Sequence, residues 1–597
     1  MTSERRRGHR VGWIVAAVLF VLVAAVVWVG VRGLLAVQEL RAALPAASRV
    51  QSAIESGSAA DAASQSSELR RHADAAHSLT SDPVWRAFEA VPGLGRNLSA
   101  LDGVASSAAS IADDGLDSLA SLSGSLSAST FKPKGGALDL APLAHAAPAL
   151  AKADKAVQRG AQDAARLDGR GLIAPLASAV ADYKAKVAGV AEFTDAASRA
   201  SALLPAMLGQ DGRRSYLLLV LNNAELRAPG GIPGSVVHVT ADKGRIAFDD
   251  QYSARSFGEY DEPIVPLTDS TNQLYGEITG EFMQDVTLTP HFDESAQLAS
   301  AMWQERFGQD VDGVVSLDPV ALKYILQATG PVIVGAGTPL KAQLTPDNVV
   351  RVLMSDVYAR FSDPAQQDAF FNAASSAIFE KVAAGGFDPK AMLTAFGRIG
   401  DERRMNVWSA TAAEQESIAQ TTLAGGPARS AGGDQRFNVY LSDGTGSKMD
   451  YYLHTSVALG QLTCKPVGAL YVVEVTLRNG LTAAQAAKLP AYVSGGGSYG
   501  VPVGTIRTQV TGYGSAGVEF GNAFDGDGTA EPVKFVKDGG RSAAQYVVDL
   551  KPGESQTVRL VYNPKKGEGG RIQADVTPQI NPVAVTRGGF DCGTVLK

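Results

Sequence analysis

The sequence predicts an α+β multidomain protein: an N-terminal transmembrane helix, a helical stalk or bundle, a central α/β domain with a mixed sheet, and a C-terminal β-sandwich. Three observations predict it. An uncharged stretch of bilayer length opens the chain at Val11 to Val31. Ala, Ser, Asp and Leu then recur at helical spacing to about residue 205. Beyond that, strands first alternate with helices and, after Gly433, follow one another. The segments read as a basic cytoplasmic tail (1–10), a membrane span (11–31), a helical stalk (32–205), an α/β domain (206–430) and a β-sandwich (431–597). A chain of 597 residues exceeds what one core usually holds, which agrees with several folded regions.

The first segment sets the compartment. Val11 to Val31 covers about 21 residues, roughly 31 Å as a helix, which matches the hydrocarbon thickness of a bilayer. Trp13 and Trp28 stand near its ends, Arg32 closes it, and Arg5, Arg6, Arg7 and Arg10 precede it. By the positive-inside rule the N-terminus is cytoplasmic and everything after Arg32 lies across the membrane. A cleaved signal peptide is the alternative, but its apolar core would be shorter, roughly 7–15 residues, and would lead into a small-residue cleavage site. The reading is therefore an uncleaved signal-anchor. The formal charge of −7 carries no basic stripe outside the N-terminus, which argues against a nucleic-acid partner. The two cysteines, Cys464 and Cys592, both fall on the exported side, where an even pair predicts one disulfide; two unpaired buried thiols are the alternative.

In the stalk, Val37, Leu40 and Leu44 share one helical face, as do Leu119, Leu122 and Leu126, and Ser127 to Gly136 reads as a loop. Pro83 after Asp82 predicts a helix start, and Pro92-Gly93 a stop. Sustained heptads are missing, so short packed helices are expected rather than a long coiled coil.

The α/β domain is organised around Arg214 to Gly234. Tyr216 to Leu221 is a continuous apolar run, expected as a strand buried on both faces. Asn222, Asn223, Glu225 and Arg227 crowd its end, and Pro229, Gly230, Gly231, Pro233 and Gly234 bend the loop that follows. Ser235 to Thr240 and Arg245 to Phe248 read as a hairpin about Asp242-Lys243-Gly244. Downstream, Asp318-Pro319, Thr345-Pro346, Asp363-Pro364 and Asp388-Pro389 each predict a capped helix start, and Thr411 to Glu414 a capping box. Asp293 to Phe307, Pro346 to Phe361 and Pro364 to Ala384 read as helices. Gly313 to Leu317, the helix Pro319 to Thr329 and Pro331 to Val334 read as a βαβ unit. In the last segment Leu470 to Arg478, Val501 to Val510, Gln545 to Leu550 and Thr557 to Tyr562 read as strands, and Gly495 to Gly500 and Gly512 to Gly517 as loops.

The cluster Asn222, Asn223, Glu225 and Arg227 is the candidate ligand-binding set. Polar side chains and backbone N–H groups at the end of a buried strand suit an anionic or sugar-like ligand. They equally suit satisfying an irregular loop's own backbone, and that alternative stays open. The loop lacks Gly-Lys-Ser/Thr and runs into a strand, which excludes a nucleotide-cradling P-loop. Asp249, Asp250, Glu259, Asp261 and Glu262 supply oxygens of the kind Mg²⁺ takes, against the commoner reading of a solvated loop. Asp525 to Gly528 reads as a turn, because its glycine comes too early for a calcium loop. Gly496-Gly497-Ser498-Tyr499-Gly500 matches G-x-S-x-G formally but precedes a strand rather than a helix. Scattered histidines complete no nucleophile–base pair.

Several blocks together carry a resemblance. Asp82 to Arg86 with Pro92, Asn222 to Arg227 with Gly230-Gly231, Asp312 to Val315 through Gly330-Pro331, and Gly446 to Tyr452 resemble the single-pass membrane family known as domain of unknown function number four thousand and twelve. Val311 to Val334, with the two helices after it, resembles half of the LytR-CpsA-Psr phosphotransferases, which attach lipid-linked glycopolymers to bacterial cell walls. That resemblance implies arginines and an aspartate gripping a polyprenyl pyrophosphate and Mg²⁺. Here the Pro-Arg-Asp expected around Phe248 to Asp250 is absent, and only Arg351 and Arg360 remain where an Arg-x-Arg set belongs. Arg227 would have to supply the missing charge. The expectation is a membrane-anchored protein of cell-envelope assembly binding a wall glycopolymer or its polyprenyl-linked precursor. The alternatives are a phosphotransferase, for which alone Mg²⁺ would be a cofactor, and a structural envelope protein acting through protein contacts.

Overall fold

The computed structural model describes residues 4–56, 58–122, 132–335, 341–428, 434–464, 468–564 and 571–595. They form two compact units, Met1–Lys132 with Leu138–Gln210, and Asp211–Lys597 with Pro133–Ala137.

The first unit is helical. Helix α1 (Glu4–Ser56) is 53 residues long and runs without a break from the apolar segment into the stalk. It is followed by α2 (Ala59–Thr80), α3 (Pro83–Glu89), α4 (Gly95–Leu122), α5 (Ala141–Ala165) and α6 (Ala174–Met207). Apart from α3, these are longer than the short helices expected. Alanine explains the difference, since it has the best helix propensity and leaves backbones free to approach closely. Ala36, Ala46, Ala62, Ala76, Ala105, Ala153 and Ala156 are fully buried along the seams between helices. Asp82 caps α3 as predicted, accepting from the N–H groups of Val84 (2.8 Å) and Trp85 (3.2 Å). The Leu119, Leu122 and Leu126 face and the first half of the Ser127 to Gly136 gap, 127–131, lie outside the residues whose side chains are described.

In the second unit β1 (Arg214–Asn222) is the middle strand of a five-stranded mixed sheet. Antiparallel to it lies β2 (Ile232–Asp242), with β3 (Arg245–Ser253) beyond. The turn between them holds Lys243 and Gly244 at φ of 48° and 80°, the left-handed geometry that a two-residue hairpin needs. Two short helices, α7 (Asp269–Tyr275) and α8 (Ile278–Glu281), lead to α9 (Phe292–Phe307), which buries Leu298, Met302 and Trp303. On the other side of β1, β4 (Gly313–Leu317) pairs in parallel, and α10 (Pro319–Thr329) follows it.

The predicted βαβ unit is not formed. The strand after α10, β5 (Val332–Val334), pairs antiparallel with β6 (Ala342–Leu344) in a separate two-stranded sheet. Three residues are too few to span the main sheet, and the neighbour of β4 there is the antiparallel β7 (Met405–Ser409). The helix expected from Pro346 is also broken, into α11 (Val349–Arg351), a π-turn over Val352–Asp356, and α12 (Val357–Arg360). The Oδ1 of Asn348 accepts from Thr345 N–H at 2.8 Å, which closes a turn where a capped helix start was expected. Helices α13 (Pro364–Ala383) and α14 (Pro389–Asp401) start at their Asp-Pro caps as read. Before α15 (Ala412–Ile418) no capping box forms, because Glu414 reaches Arg214 (2.6 Å) and Ser409 (2.6 Å) instead.

After residue 434 two five-stranded sheets share one buried core. One holds β8 (Gln435–Asp443), β11 (Ile506–Tyr513), β13 (Lys534–Asp538), β14 (Arg541–Leu550) and β16 (Ile572–Val576). The other holds β9 (Leu453–Cys464), β10 (Gly468–Asn479), β12 (Glu519–Asp525), β15 (Ser555–Asn563) and β17 (Ala584–Arg587). Strand β11 begins at Ile506 rather than Val501, and it contains Gly512, which the sequence reading placed in a loop. Cys464 at the end of β9 is disulfide-bonded to Cys592, 128 residues on, with their Cα atoms 5.6 Å apart.

Candidate functional site

The loop after β1 starts where the parallel pair β1/β4 ends, the edge of a sheet at which α/β proteins commonly bind ligands. Backbone packing shapes it first. A Cβ on Gly231 would lie 2.5 Å from the carbonyl carbon and oxygen of Asn222, so only glycine fits there. Asn222 then turns its Oδ1 back to Ala224 N–H (3.0 Å) and donates from Nδ2 to the Tyr358 hydroxyl (2.8 Å). Asn223, fully buried, donates to the carbonyl of Gly230 (2.7 Å) and to the Asp318 carboxylate (3.1 Å). Asp318 in turn caps α10 through Ala321 N–H (2.7 Å) and pairs with the buried Arg404 at 2.7 Å.

The two charged members of the predicted set are also buried, and each meets an opposite charge. Glu225 forms an ion pair with Lys448, whose ammonium also lies over the rings of Tyr358 (5.2 Å) and Tyr492 (4.8 Å). Arg227 donates to Asp285 (2.9 Å) and to the carbonyls of Leu226 (3.0 Å) and Asp443 (3.2 Å). Burial alone would favour the neutral forms of both cations. For Lys448, Glu225 together with Tyr358 and Tyr492 outweighs burial, and for Arg227, Asp285, Asp443 and Glu225 together do, so both are held above their ordinary values. Asp443 and Asp450 form the acidic side of the cluster. Burial pushes the carboxyls of both upward, and for Asp443 the neighbouring Asp450 adds to the shift. Asp450 nevertheless accepts from Leu226 N–H at 2.7 Å, while Asp450 N–H donates to Ala224 O (3.1 Å) and Asp443 N–H to Leu226 O (2.8 Å).

The structure thus brings Asn222, Asn223, Glu225 and Arg227 together, as the sequence reading required, and gives each a partner from the chain itself. The apolar residues between them explain why. Ala224 packs in the core of α10 to α14, Leu226 in the core between the two sheets after residue 434, and Ala228 among Tyr275, Tyr440 and Tyr513. One short loop is shared by three cores.

Sequence reasoning missed Asp285, Arg404, Asp443, the roles of Lys448 and Asp450, and the part Asp318 plays here beyond its cap. Lys448 and Asp450 carried a signal, as charged residues flanking Met449, which is 1% exposed. The Mg²⁺ candidates do not converge: Asp249 pairs with Arg213 at 3.2 Å, and among the described residues no three His, Cys, Asp or Glu side chains are placed to hold a metal ion. Arg351 pairs with Asp356 rather than standing free for an anion. Asp525 accepts from the N–H groups of Asp527 (2.9 Å) and Thr529 (2.8 Å), a plain turn. A shallow surface depression with no room for a water molecule lies between the Thr445–Ser447 turn and the glycine-rich segment 494–501, and none of the four predicted residues lines it.

No curated protein matches the chain. Among solved structures, a transcriptional regulator from Enterococcus faecalis is 15% identical, over 36% of this chain and 74% of that one, with a TM-score of 0.21, too low to carry an argument. A family model described as protein of unknown function, DUF4012, matches residues 211–358, which contain β1, the shared loop, β4 and α10. The similarity to that family is shown over this segment, about a quarter of the chain.

Proposed function

We propose that this is a membrane-anchored, extracytoplasmic protein of cell-envelope assembly that works as a structural element through protein contacts, its paired C-terminal sheets being a β-sandwich that presents the contact surface. The observation that supports this reading is the occupation of Arg227. Its guanidinium is engaged by Asp285 and by two backbone carbonyls, and the adjoining Glu225 by Lys448. A pyrophosphate or glycan would have to displace those partners from a buried site. The apolar N-terminal helix is compatible with a single-pass anchor. The Cys464–Cys592 disulfide supports an oxidising, exported environment, and the arginines before the span support a cytoplasmic N-terminus.

Binding of a polyprenyl-linked or wall glycopolymer, and phosphotransfer in the LytR-CpsA-Psr manner, are the competing readings, and one assay separates all three. Purified protein is mixed with Mg²⁺ and a polyprenyl-pyrophosphate glycan, and both ligand retention and release of lipid phosphate are measured. The structural reading expects neither. Retention without release would establish the binder, and release of lipid phosphate would establish the transferase.

A further inference from the structure

The apolar span of α1 does not end in open solvent. Val29, still within the span, is 4% exposed because it packs in a cluster with Trp85, Leu98 and Leu101. One turn later the ζ3 and η2 carbons of Trp85 come within 3.6 Å of where a Cβ on Gly33 would sit. Between them Arg32 is tied down: it donates from Nε to Leu79 O (2.9 Å) and from its terminal nitrogen to Ser78 O, pairs with Asp82 (2.9 Å), and lies 5.2 Å over the Trp28 ring. The two carbonyls are in the last turn of α2, the negative end of that helix. The α2–α3 turn is therefore clamped to α1 at the level where the span ends.

That end of the bundle exposes apolar side chains. Val84 in α3, Val91 and Leu94 in the turn before α4, and Ile173 before α6 are 38%, 42%, 46% and 62% exposed. Ile173 belongs to the same end, since its N–H donates to Asn97 at 2.9 Å. Exposed Arg86 and Arg96 stand among them. Apolar tips flanked by Arg86 and Arg96, level with the end of a membrane span, match the pattern of a surface resting in the lipid interface. Anionic headgroups complement the arginines.

We propose that the base of the helical bundle, formed by α3, the Val91–Gly95 turn and the segment before α6, is a lipid-contacting foot, with Val84, Val91, Leu94 and Ile173 inserted at the outer boundary of the bilayer that α1 crosses. The proposal rests on reading α1 as a membrane span. It makes the bundle a rigid post set on the membrane rather than a tethered rod, because two separate contacts fix its tilt.

The test uses the full chain reconstituted in vesicles of phosphatidylcholine and phosphatidylglycerol that carry nitroxides at two depths, near the headgroup end of the acyl chain to read the foot and near its terminal methyl to read Leu22. Both native cysteines are bonded, so a single introduced cysteine takes a bimane label. Leu94→Cys and Ile173→Cys report the foot, and Leu22→Cys reports the span. Ala60→Cys, some 20 residues back along α2 and so about 30 Å from the foot, reports solvent. Leu22, Leu94 and Ile173 labels are expected to be quenched several-fold more than the Ala60 label. Leu94 and Ile173 labels as weakly quenched as Ala60, with Leu22 strongly quenched, would overturn the foot and leave the anchor standing. An unquenched Leu22 label would overturn the anchor and the foot with it. Replacing phosphatidylglycerol by phosphatidylcholine should weaken quenching at Leu94 and leave Leu22 unchanged.

Discussion

The two units of this chain are built on opposite principles. The helical unit closes its seams with alanine, and many of its ion pairs and polar contacts join residues three or four apart, such as Arg199–Asp195. The unit from Asp211 onward buries charges and joins them across the chain: Glu225 and Lys448 are 223 residues apart, and Arg404 and Asp318 are 86 apart. Alanine seams spread cohesion over many positions of low individual weight. Buried ion pairs concentrate it, because each member left alone is a desolvated charge.

The comparison breaks most readily at Arg227. Arg227→Ala strands Asp285 beside Asp443 and is expected to destabilise the second unit by about 3–5 kcal/mol, with little effect on the helical unit. Denaturant unfolding followed by near-UV signals of the second unit checks it. A smaller loss would mean that water already solvates this cluster.

The seam gives the intermediate case. Ala156 lies opposite Gly115 of α4, where a Cβ on the glycine would sit 3.6 Å from the Ala156 Cβ. Ala156→Leu overpacks that contact and is expected to cost about 1–3 kcal/mol, read as a loss of helical signal at lower temperature. A neutral result would show that the α4–α5 seam can open without penalty.

The smallest effect sharpens the electrostatic side. His291 pairs with Asp538 at 2.7 Å, and Asp538 also accepts from Tyr513 (2.6 Å). Burial opposes the charge on His291, but Asp538 outweighs it and raises the imidazole above 6.5; burial likewise opposes ionisation of Asp538, and His291 outweighs it and lowers the carboxyl below 3.8. The histidine's contribution is thus complete below pH 6.5 and is lost as pH rises through its folded value. The aspartate's is present above pH 3.8 and is lost as pH falls through its own folded value. His291→Gln should flatten the alkaline limb of a stability-against-pH curve measured on the full chain. An unchanged limb would mean that the pair contributes nothing on folding.

What was legible in the sequence was local. Asp82, Asp318, Asp363 and Asp388 each accept the backbone N–H bonds that an Asp-Pro start announces, because a cap and its helix lie within three residues of each other. The Lys243-Gly244 turn was legible for the same reason. Thr411 to Glu414 carried the same kind of signal and was overruled by Arg214, 200 residues earlier. The candidate site followed that second pattern. Asn222, Asn223, Glu225 and Arg227 were visible as a polar cluster, but their partners at 285, 318, 358 and 448 follow no period. Whether such a cluster faces a guest or its own chain depends on those distant residues. The broken helix after Thr345 was hidden likewise, since a π-turn preserves the apolar content of the helix it interrupts.

The loop shared by three cores has a further bearing on how this molecule is divided. A break in the chain near residue 430 leaves Leu226 on one fragment and the cavity it fills on the other, and it parts Glu225 from Lys448 and Arg227 from Asp443. The helices around β1 and the paired sheets are thereby obliged to melt as one body. The matched segment 211–358 carries the loop but none of Asp443, Lys448 and Asp450, the partners that bury it.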